Sequence, residues 1–251
     1  MPFSLTDRVA VVTGSSTGLG KGIAKALGEA GAKVVLNYFN TAARGNTALE
    51  ELQAAGITAT LVQADVTTPE GVDKLFAAAE SEFGPVDIVV CNAAIDQPQL
   101  PIEEYDWDFH LRMVDFFIKS PYLMARRCLP NMKAGKRGRF INVTSEVFHR
   151  GLAPFSAYVA AKGAQVGWSR SMAAELAPYG ITVNMVAPGW IPVERHENVA
   201  AEAKQAYLET IPAGRWGTPA DVGAAAVYFA SDEASFITGQ TIHVNGGLCL
   251  T

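Results

Sequence analysis

The sequence is poor in cysteine, in histidine and in charge, and each shortage closes off a class of function. Its three cysteines, Cys91, Cys128 and Cys249, are odd in number and show no Cys-x-x-Cys spacing. That argues against a disulfide framework and for reduced thiols in a cytoplasmic setting. The histidines, His110, His149, His196 and His243, stand in no metal-ligand spacing, so no metal site is expected. Charged residues make up 18% of the chain, below the usual ~25%, a deficit that suits a surface partly covered by other subunits. A net charge of −5 gives neither nucleic acid nor an anionic membrane an electrostatic claim on the chain. No apolar run reaches the roughly 18 residues of a spanning helix, and no basic, apolar leader precedes the first strand-like run. Neither membrane insertion nor export is expected.

Apolar residues are plentiful, 49% of the chain, and they fall into two alternating rhythms. Short apolar runs rich in β-branched residues lie at 8–13, 32–37, 58–64, 86–92, 138–144, 182–187 and 240–244. Helical periodicity separates them near 18–30, 42–55, 69–83, 103–133, 156–178 and 219–231. Such alternation predicts an α/β fold, a parallel sheet covered by helices on both faces. A length of 251 residues suits one domain with a sizeable core. No repeat, low-complexity linker or break in composition divides the chain, so a single domain over 1–251 is expected.

Two stretches carry chemistry. In RVAVVTGSSTGLGKGIAKAL, Gly14, Gly18 and Gly20 follow a strand-like run and open a helix. Glycines there let backbone N–H groups close on a pyrophosphate, and the helix N-terminus adds partial positive charge. In SEVFHRGLAPFSAYVAAK, Tyr158 and Lys162 stand four apart in an alanine-rich helical run and share one face. Ser145 follows an apolar strand-like run, at the strand end where α/β sheets place their chemistry. A phenol titrates near pH ~10, and a nearby ammonium or the positive ring of an oxidised nicotinamide would lower that value. Ser145 can then hydrogen-bond the oxygen on which charge changes.

Thr13-Gly14-x-x-x-Gly18-x-Gly20, Asn92-Ala93-Ala94, Ser145, Tyr158-x-x-x-Lys162 and Asn184…Pro188-Gly189 occur in that order. Together they resemble the classical short-chain dehydrogenase/reductase family over essentially the whole chain, with members such as glucose 1-dehydrogenases and 3-oxoacyl-carrier-protein reductases in view. The resemblance implies a single-domain Rossmann fold, a doubly wound seven-stranded parallel sheet in the order 3-2-1-4-5-6-7. It also implies an NAD(P)(H)-dependent oxidoreductase acting on CH–OH groups, a homotetramer, and a substrate lid at about 190–215. Tyr158 would be the acid/base, Lys162 would lower its pKa and bind ribose, and Ser145 would polarise the oxygen. The cofactor would lie against Gly14, Ser16, Thr17, Gly18, Leu19 and Gly20, then Asn37 and Tyr38, then Asp65 and Val66. Asn92, Ala93, Ala94, Tyr158, Lys162, Pro188, Gly189 and Ile191 would complete its site.

Several positions depart from that family's pattern. The second strand-like run ends at Asn37 and Tyr38 without the acidic residue that usually selects NAD, so NADP(H) is favoured and NAD(H) stays usable. Arg44 is available to pair with a 2′-phosphate. Ala94 replaces a glycine and Val193 a threonine. Phe117 stands where the catalytic tetrad has asparagine, and no asparagine occurs between Asn92 and Asn131. A broken proton relay is the expected consequence. Glu146, His149 and Trp190 are candidate substrate contacts, a set that suits a small sugar- or polyol-like substrate. Reduction of carrier-bound 3-oxoacyl thioesters is the alternative, to be marked by a basic patch among Arg126, Arg127, Lys133, Lys136, Arg137 and Arg139. A cofactor-binding protein with little turnover is a third reading, motivated by Phe117.

Overall fold

Short runs of Val, Ile and Leu set the centre of the structure, a computed structural model that describes residues 2–250. The strands β1 (Val9–Val12), β2 (Lys33–Tyr38), β3 (Ala59–Gln63), β4 (Ile88–Cys91), β5 (Gly138–Val143), β6 (Ile181–Pro188) and β7 (Thr241–Val244) form one sheet. Its order is β3-β2-β1-β4-β5-β6-β7 and every pairing is parallel. β1, β4, β5 and β6 are buried along their whole length, as strands covered on both faces must be. The order reverses direction between β1 and β4, so the crevice beyond their carboxyl ends is where such sheets bind ligands.

Nine α-helices complete the described fold: α1 (Gly18–Glu29), α2 (Ala42–Ala54), α3 (Pro69–Phe83), α4 (Trp107–Val114), α5 (Ser120–Gly135), α6 (Glu146–Arg150), α7 (Ser156–Leu176), α8 (Ala201–Thr210) and α9 (Pro219–Ala230). One face of the sheet packs on Ile23 and Leu27 of α1 and Val222 and Phe229 of α9. The other packs on Phe76 of α3, Met124 of α5 and Leu176 of α7. α1 and α9 approach closely because a Cβ at Gly22 would stand 2.3 Å from that of Pro219, and one at Gly223 2.6 Å from that of Ala26. Among the described residues no helix is long and apolar enough to cross a membrane.

The long helix expected over 103–133 is not continuous. A 3-10 turn (Ile102–Glu104) and α4 precede a π turn at Asp115–Lys119, and only then does α5 begin. Pro121 explains the break, since it has no N–H to give the Phe117 carbonyl one α-helical repeat back. The ladder widens instead, and the Ser120 N–H donates to the Asp115 carbonyl. A third apolar cluster forms around this turn, from Met113 and Phe117 to Phe155, Tyr158 and Ala161. Two further elements escaped the periodicity: the short α6 after Ser145, and α8 within the insertion that follows β6.

α9 begins in a reciprocal cap. The Thr218 hydroxyl accepts from the Asp221 N–H at 3.3 Å, and Asp221 accepts from the Thr218 N–H at 2.8 Å. Thr218→Ala should therefore lower stability by about 1 kcal/mol, read as a melting point lower by ~2–4 °C. An unchanged melting point would mean that the Arg215–Asp221 pair (2.9 Å) holds the helix start alone.

Candidate functional site

At the β1/β4 reversal the chain builds a turn with no room for a side chain at Gly14 or Gly20. Gly14 (φ +60°) lies so close to β4's end that a Cβ there would sit 2.8 Å from the Ala93 Cα. At Gly20 a Cβ would sit 2.3 Å from the Gly14 carbonyl oxygen. Three polar side chains hold this turn. The Thr13 hydroxyl accepts from the N–H groups of Asn92 and Ala93 at 2.9 Å each. The Asn92 amide donates to the carbonyls of Thr13 (2.9 Å) and Gly14 (3.1 Å). Asn37 accepts from the Gly14 N–H at 3.1 Å and donates to the carbonyls of Ala64 (3.1 Å) and Val62 (3.4 Å).

A groove of about 510 Å³ runs over this turn. Ser16, Thr17, Gly18, Leu19, Tyr38, Asp65, Val66 and Ala94 line it, with Arg44 at the β2 end. Asp65 divides its duty, since its Oδ1 also accepts from the Thr67 hydroxyl (2.7 Å) and N–H (2.9 Å). At the start of α1 the Gly18 N–H donates to the Glu194 carboxylate at 3.0 Å. That carboxylate oxygen stands where a phosphate oxygen would be held, at a helix N-terminus with Lys21 3.9 Å from its other oxygen.

A smaller cavity of about 70 Å³ adjoins the groove and shares Leu19, Asn92, Ala94 and Arg195 with it. Ser145, Tyr158 and Lys162 line it together, with Gln97, Phe117, Thr144, Pro188 and Gly189. Ser145 lies two residues beyond β5 and caps α6, accepting from the Val147 N–H at 3.3 Å. Tyr158 lies on α7 between the rings of Phe155 (4.9 Å) and Phe117 (5.4 Å, edge-on). Burial pushes the phenol up to about 12, against the opposing pull of its hydrogen bond with Ser145 and of the Arg195 charge. The direction is opposite to the sequence expectation, because desolvation outweighs the nearby cations in the cofactor-free chain.

Lys162 is the most confined of the three, 2% exposed. Its Nζ donates to the Val143 carbonyl at 2.7 Å and to Gln165 Oε1 at 3.0 Å, and stands 3.7 Å from the centre of the Phe117 ring. Burial draws its pKa well below the usual lysine value; Arg195 adds to the fall and Cys91 opposes it. The two carbonyls and the ring face are what an ammonium there has in place of water. Gln165 was not among the residues singled out by sequence, although it follows Tyr158 and Lys162 at i+7 and i+3 on one helix face.

Four expected residues fall elsewhere. The Glu146 side chain is turned from the cavity, accepting from the Tyr207 hydroxyl (2.8 Å) and from Arg150 (2.9 Å). Trp190 packs on Tyr207 and Trp216, and its N–H donates to the Tyr207 hydroxyl at 2.8 Å. His149 stacks edge-on against His243, and Ile191 is buried against the core beside Gly217. Instead of lining the smaller cavity, Glu146, Tyr207 and Trp190 fasten the insertion after β6 to α6. Asn184 is likewise internal, donating to the Ile237 carbonyl and accepting from the Gln240 N–H ahead of β7. Among the described residues no three His, Cys, Asp or Glu side chains gather as a metal site would need.

The same architecture recurs in known proteins. A family profile described as Enoyl-(Acyl carrier protein) reductase matches residues 14–249. A 3-oxoacyl-(acyl-carrier-protein) reductase of Vibrio cholerae is 38% identical over 248 residues, spanning 98% of this chain and 99% of its own. Its counterpart in Staphylococcus epidermidis is 36% identical over 244 residues, spanning 96% and 99%. A gluconate 5-dehydrogenase from Burkholderia cenocepacia J2315, solved with NADP and tartrate, superposes with a TM-score of 0.90 at 31% identity, covering 98% of this chain and 96% of that one.

The bonding of Asn37 changes what its replacement should do. Asn37→Asp keeps the acceptor for Gly14 but turns a carboxylate oxygen towards the Ala64 and Val62 carbonyls. The expected result is a loss of about 1–3 kcal/mol of stability, read by denaturant unfolding. A fully stable aspartate variant would show that the β1 turn does not lean on this amide.

Proposed function

The chain belongs to the classical short-chain dehydrogenase/reductase family and is an NAD(P)-dependent oxidoreductase. From that premise we propose that it interconverts a secondary alcohol and a ketone on a small hydroxylated substrate, with NADP(H) as the preferred cofactor. The observation that carries the reading is the shared wall of the two cavities. Ser145, Tyr158 and Lys162 converge on a space that opens into the glycine-lined groove.

The groove fits a dinucleotide. Its turn excludes a Cβ at Gly14 and Gly20, and its helix N-terminus already carries a carboxylate in the place of a phosphate. Tyr38 and Arg44 line its β2 end, where Phe39 and Asn40 follow with no carboxylate to repel a 2′-phosphate. A bound nicotinamide supplies the hydride acceptor or donor. Tyr158 takes the proton from the substrate hydroxyl in oxidation and returns it in reduction. Ser145, which lines the same cavity as that phenol, steadies the same oxygen. Lys162, one helical turn away, favours the phenolate.

For the substrate, Gln97 Nε2 is buried without a partner and Gln97 lines the catalytic cavity with Arg195. Two donors beside the reactive pair suit a hydroxyl- or carboxylate-bearing molecule. The gluconate 5-dehydrogenase likeness supports this reading. The 3-oxoacyl-(acyl-carrier-protein) reductase relatives support the second, reduction of a 3-oxoacyl thioester. Against that reading, three of the six candidate docking cations are already committed. Arg127 pairs with Glu80 at 2.6 Å, Arg137 with Asp87 at 2.7 Å, and the buried Arg139 with Asp232 at 3.3 Å. The reading of little turnover rests on Phe117 and meets the same turnover assays; Lys162 keeps two acceptors beside that ring. A homotetramer belongs to the same proposal, supported by the exposed Trp107, Leu111 and Val114 along α4. Turnover of sugars, polyols, sugar acids and 3-oxoacyl thioesters, assayed with both cofactors, decides between the substrates.

Tyr158→Phe should cut turnover by ~10²–10⁴ while cofactor affinity stays within a few-fold. More than half of wild-type activity in that variant would sink the assignment. With the phenol pushed up to about 12, Tyr158 carries its proton at neutral pH and is poised as an acid. Ketone reduction should accordingly be flat around neutrality, whereas alcohol oxidation should climb with pH as phenolate forms. Rate–pH profiles measured in both directions check this.

Arg44→Ala should weaken NADP(H) binding by about tenfold, ~1.4 kcal/mol, and leave NAD(H) binding unchanged. Equal losses for both cofactors in a titration would remove Arg44 from the 2′-phosphate site.

A further inference from the structure

We propose that Gln165 is the positioning residue for Lys162, orienting its ammonium with a side-chain carbonyl from the same helix. The inference rests on the oxidoreductase reading above for its consequence in catalysis, and on geometry for the contact itself. Tyr158, Lys162 and Gln165 occupy i, i+4 and i+7 of α7, one continuous face. Gln165 is 1% exposed, so its amide is a built part of the interior. Its carbonyl takes one Nζ–H at 3.0 Å and the Val143 carbonyl takes another at 2.7 Å. An ammonium has three donors, so one remains for the cavity that Tyr158 lines. The Phe117 ring closes the side at 3.7 Å and offers no lone pair.

The turn that carries Gln165 is itself tied down. Its main-chain carbonyl accepts from the Ser169 hydroxyl at 2.7 Å, and Ser169 accepts from the Asn142 amide on β5 at 2.8 Å. β5 thus holds both acceptors of Lys162, one directly through Val143 and one through Ser169.

The neutrality of the amide matters. The titratable groups that face Nζ are Tyr158 on its own helix, Cys91 from β4 and Arg195 from the segment after β6. None is a carboxylate. A glutamate at 165 would bind the ammonium equally well and cancel the charge it exerts on the phenol. An alkyl side chain would leave the cation with a single protein acceptor. Glutamine alone of these orients the ammonium and leaves its field intact.

The test uses the full-length protein with Gln165→Glu and Gln165→Leu. Three readouts are compared: melting temperature, the pH profile of alcohol oxidation, and the Lys162 pKa from NMR of protein carrying 13Cε-lysine. In Gln165→Glu the Lys162 pKa should rise, and the alkaline limb of oxidation should move up by about one unit, a tenfold loss at fixed pH. In Gln165→Leu the Lys162 pKa should fall further and turnover should drop about tenfold with an altered limb. A lowered melting point with an unmoved limb and an unmoved Lys162 pKa would overturn the proposal and leave Gln165 as a structural amide. Should wild-type protein turn over no alcohol or ketone, the functional reading fails. The NMR titration still reports whether residue 165 governs Lys162.

Discussion

A cation buried in the middle of a protein is the constraint on which the rest of this site depends. An ammonium removed from water is costly unless every face finds a carbonyl, a counter-charge or a π-system. Lys162 finds two carbonyls and a ring, and each comes from a different structural decision. The Val143 carbonyl is available because it is the last of β5, one residue past the final pairing with β4 at Asn142. The Gln165 carbonyl is available because α7 runs uninterrupted past it. The Phe117 ring arrives because Pro121 forces a π turn that brings this side chain into the cluster around Tyr158. Tyr158 is then placed by its helix, four residues before the lysine and between two rings.

The glycine turn obeys a second constraint, that of close approach. Thr13, Asn37 and Asn92 supply hydrogen bonds that the glycines of the turn cannot make for themselves, and the Ser15 hydroxyl adds its own, donating to the Val12 carbonyl and accepting from the Asn37 N–H. They fix the start of that turn at the end of β1, and the Gly18 N–H farther along it is met by Glu194 on the segment after β6. This segment is fastened at its far side by Tyr207, which bridges the Trp190 N–H and Glu146. One end of the insertion therefore rests on the groove and the other on α6. Any anion that takes the Gly18 N–H must displace Glu194, which couples occupation of the groove to the position of Arg195 beside it.

What was legible in the sequence was local. Seven apolar runs, the glycine spacing and the Tyr158–Lys162 pair each declare themselves within a few residues, and their elements formed as expected. What was not legible depended on partners far along the chain. Glu146, His149 and Trp190 stand close in sequence to Ser145 or Pro188, but α6 and the path after β6 turn them away from the cavity. Asn37 was read for a carboxylate it lacks, while its amide is used up in bonds to Gly14, Val62 and Ala64. The π turn left no mark in the hydrophobic rhythm, although Pro121 was its cause. Gln165 was hidden for the opposite reason: a polar residue at i+3 from a lysine usually faces solvent, and only the packing of α7 against the sheet, chiefly on β6, buries it.

Phe117 and Gln165 are best understood together. An asparagine in the facing helix would serve a proton relay on one side of Lys162; a phenylalanine brings a large apolar ring that excludes water from that side. The same exclusion raises the phenol's pKa by desolvation and strengthens any charge interaction that survives. With water removed, orientation of the ammonium must come from protein atoms, and a fixed carbonyl one turn along the same helix provides it without adding charge. The substitution at 117 therefore need not silence the site. The orientation of Lys162 comes from the helix that carries Tyr158, where one rigid element sets both groups at once.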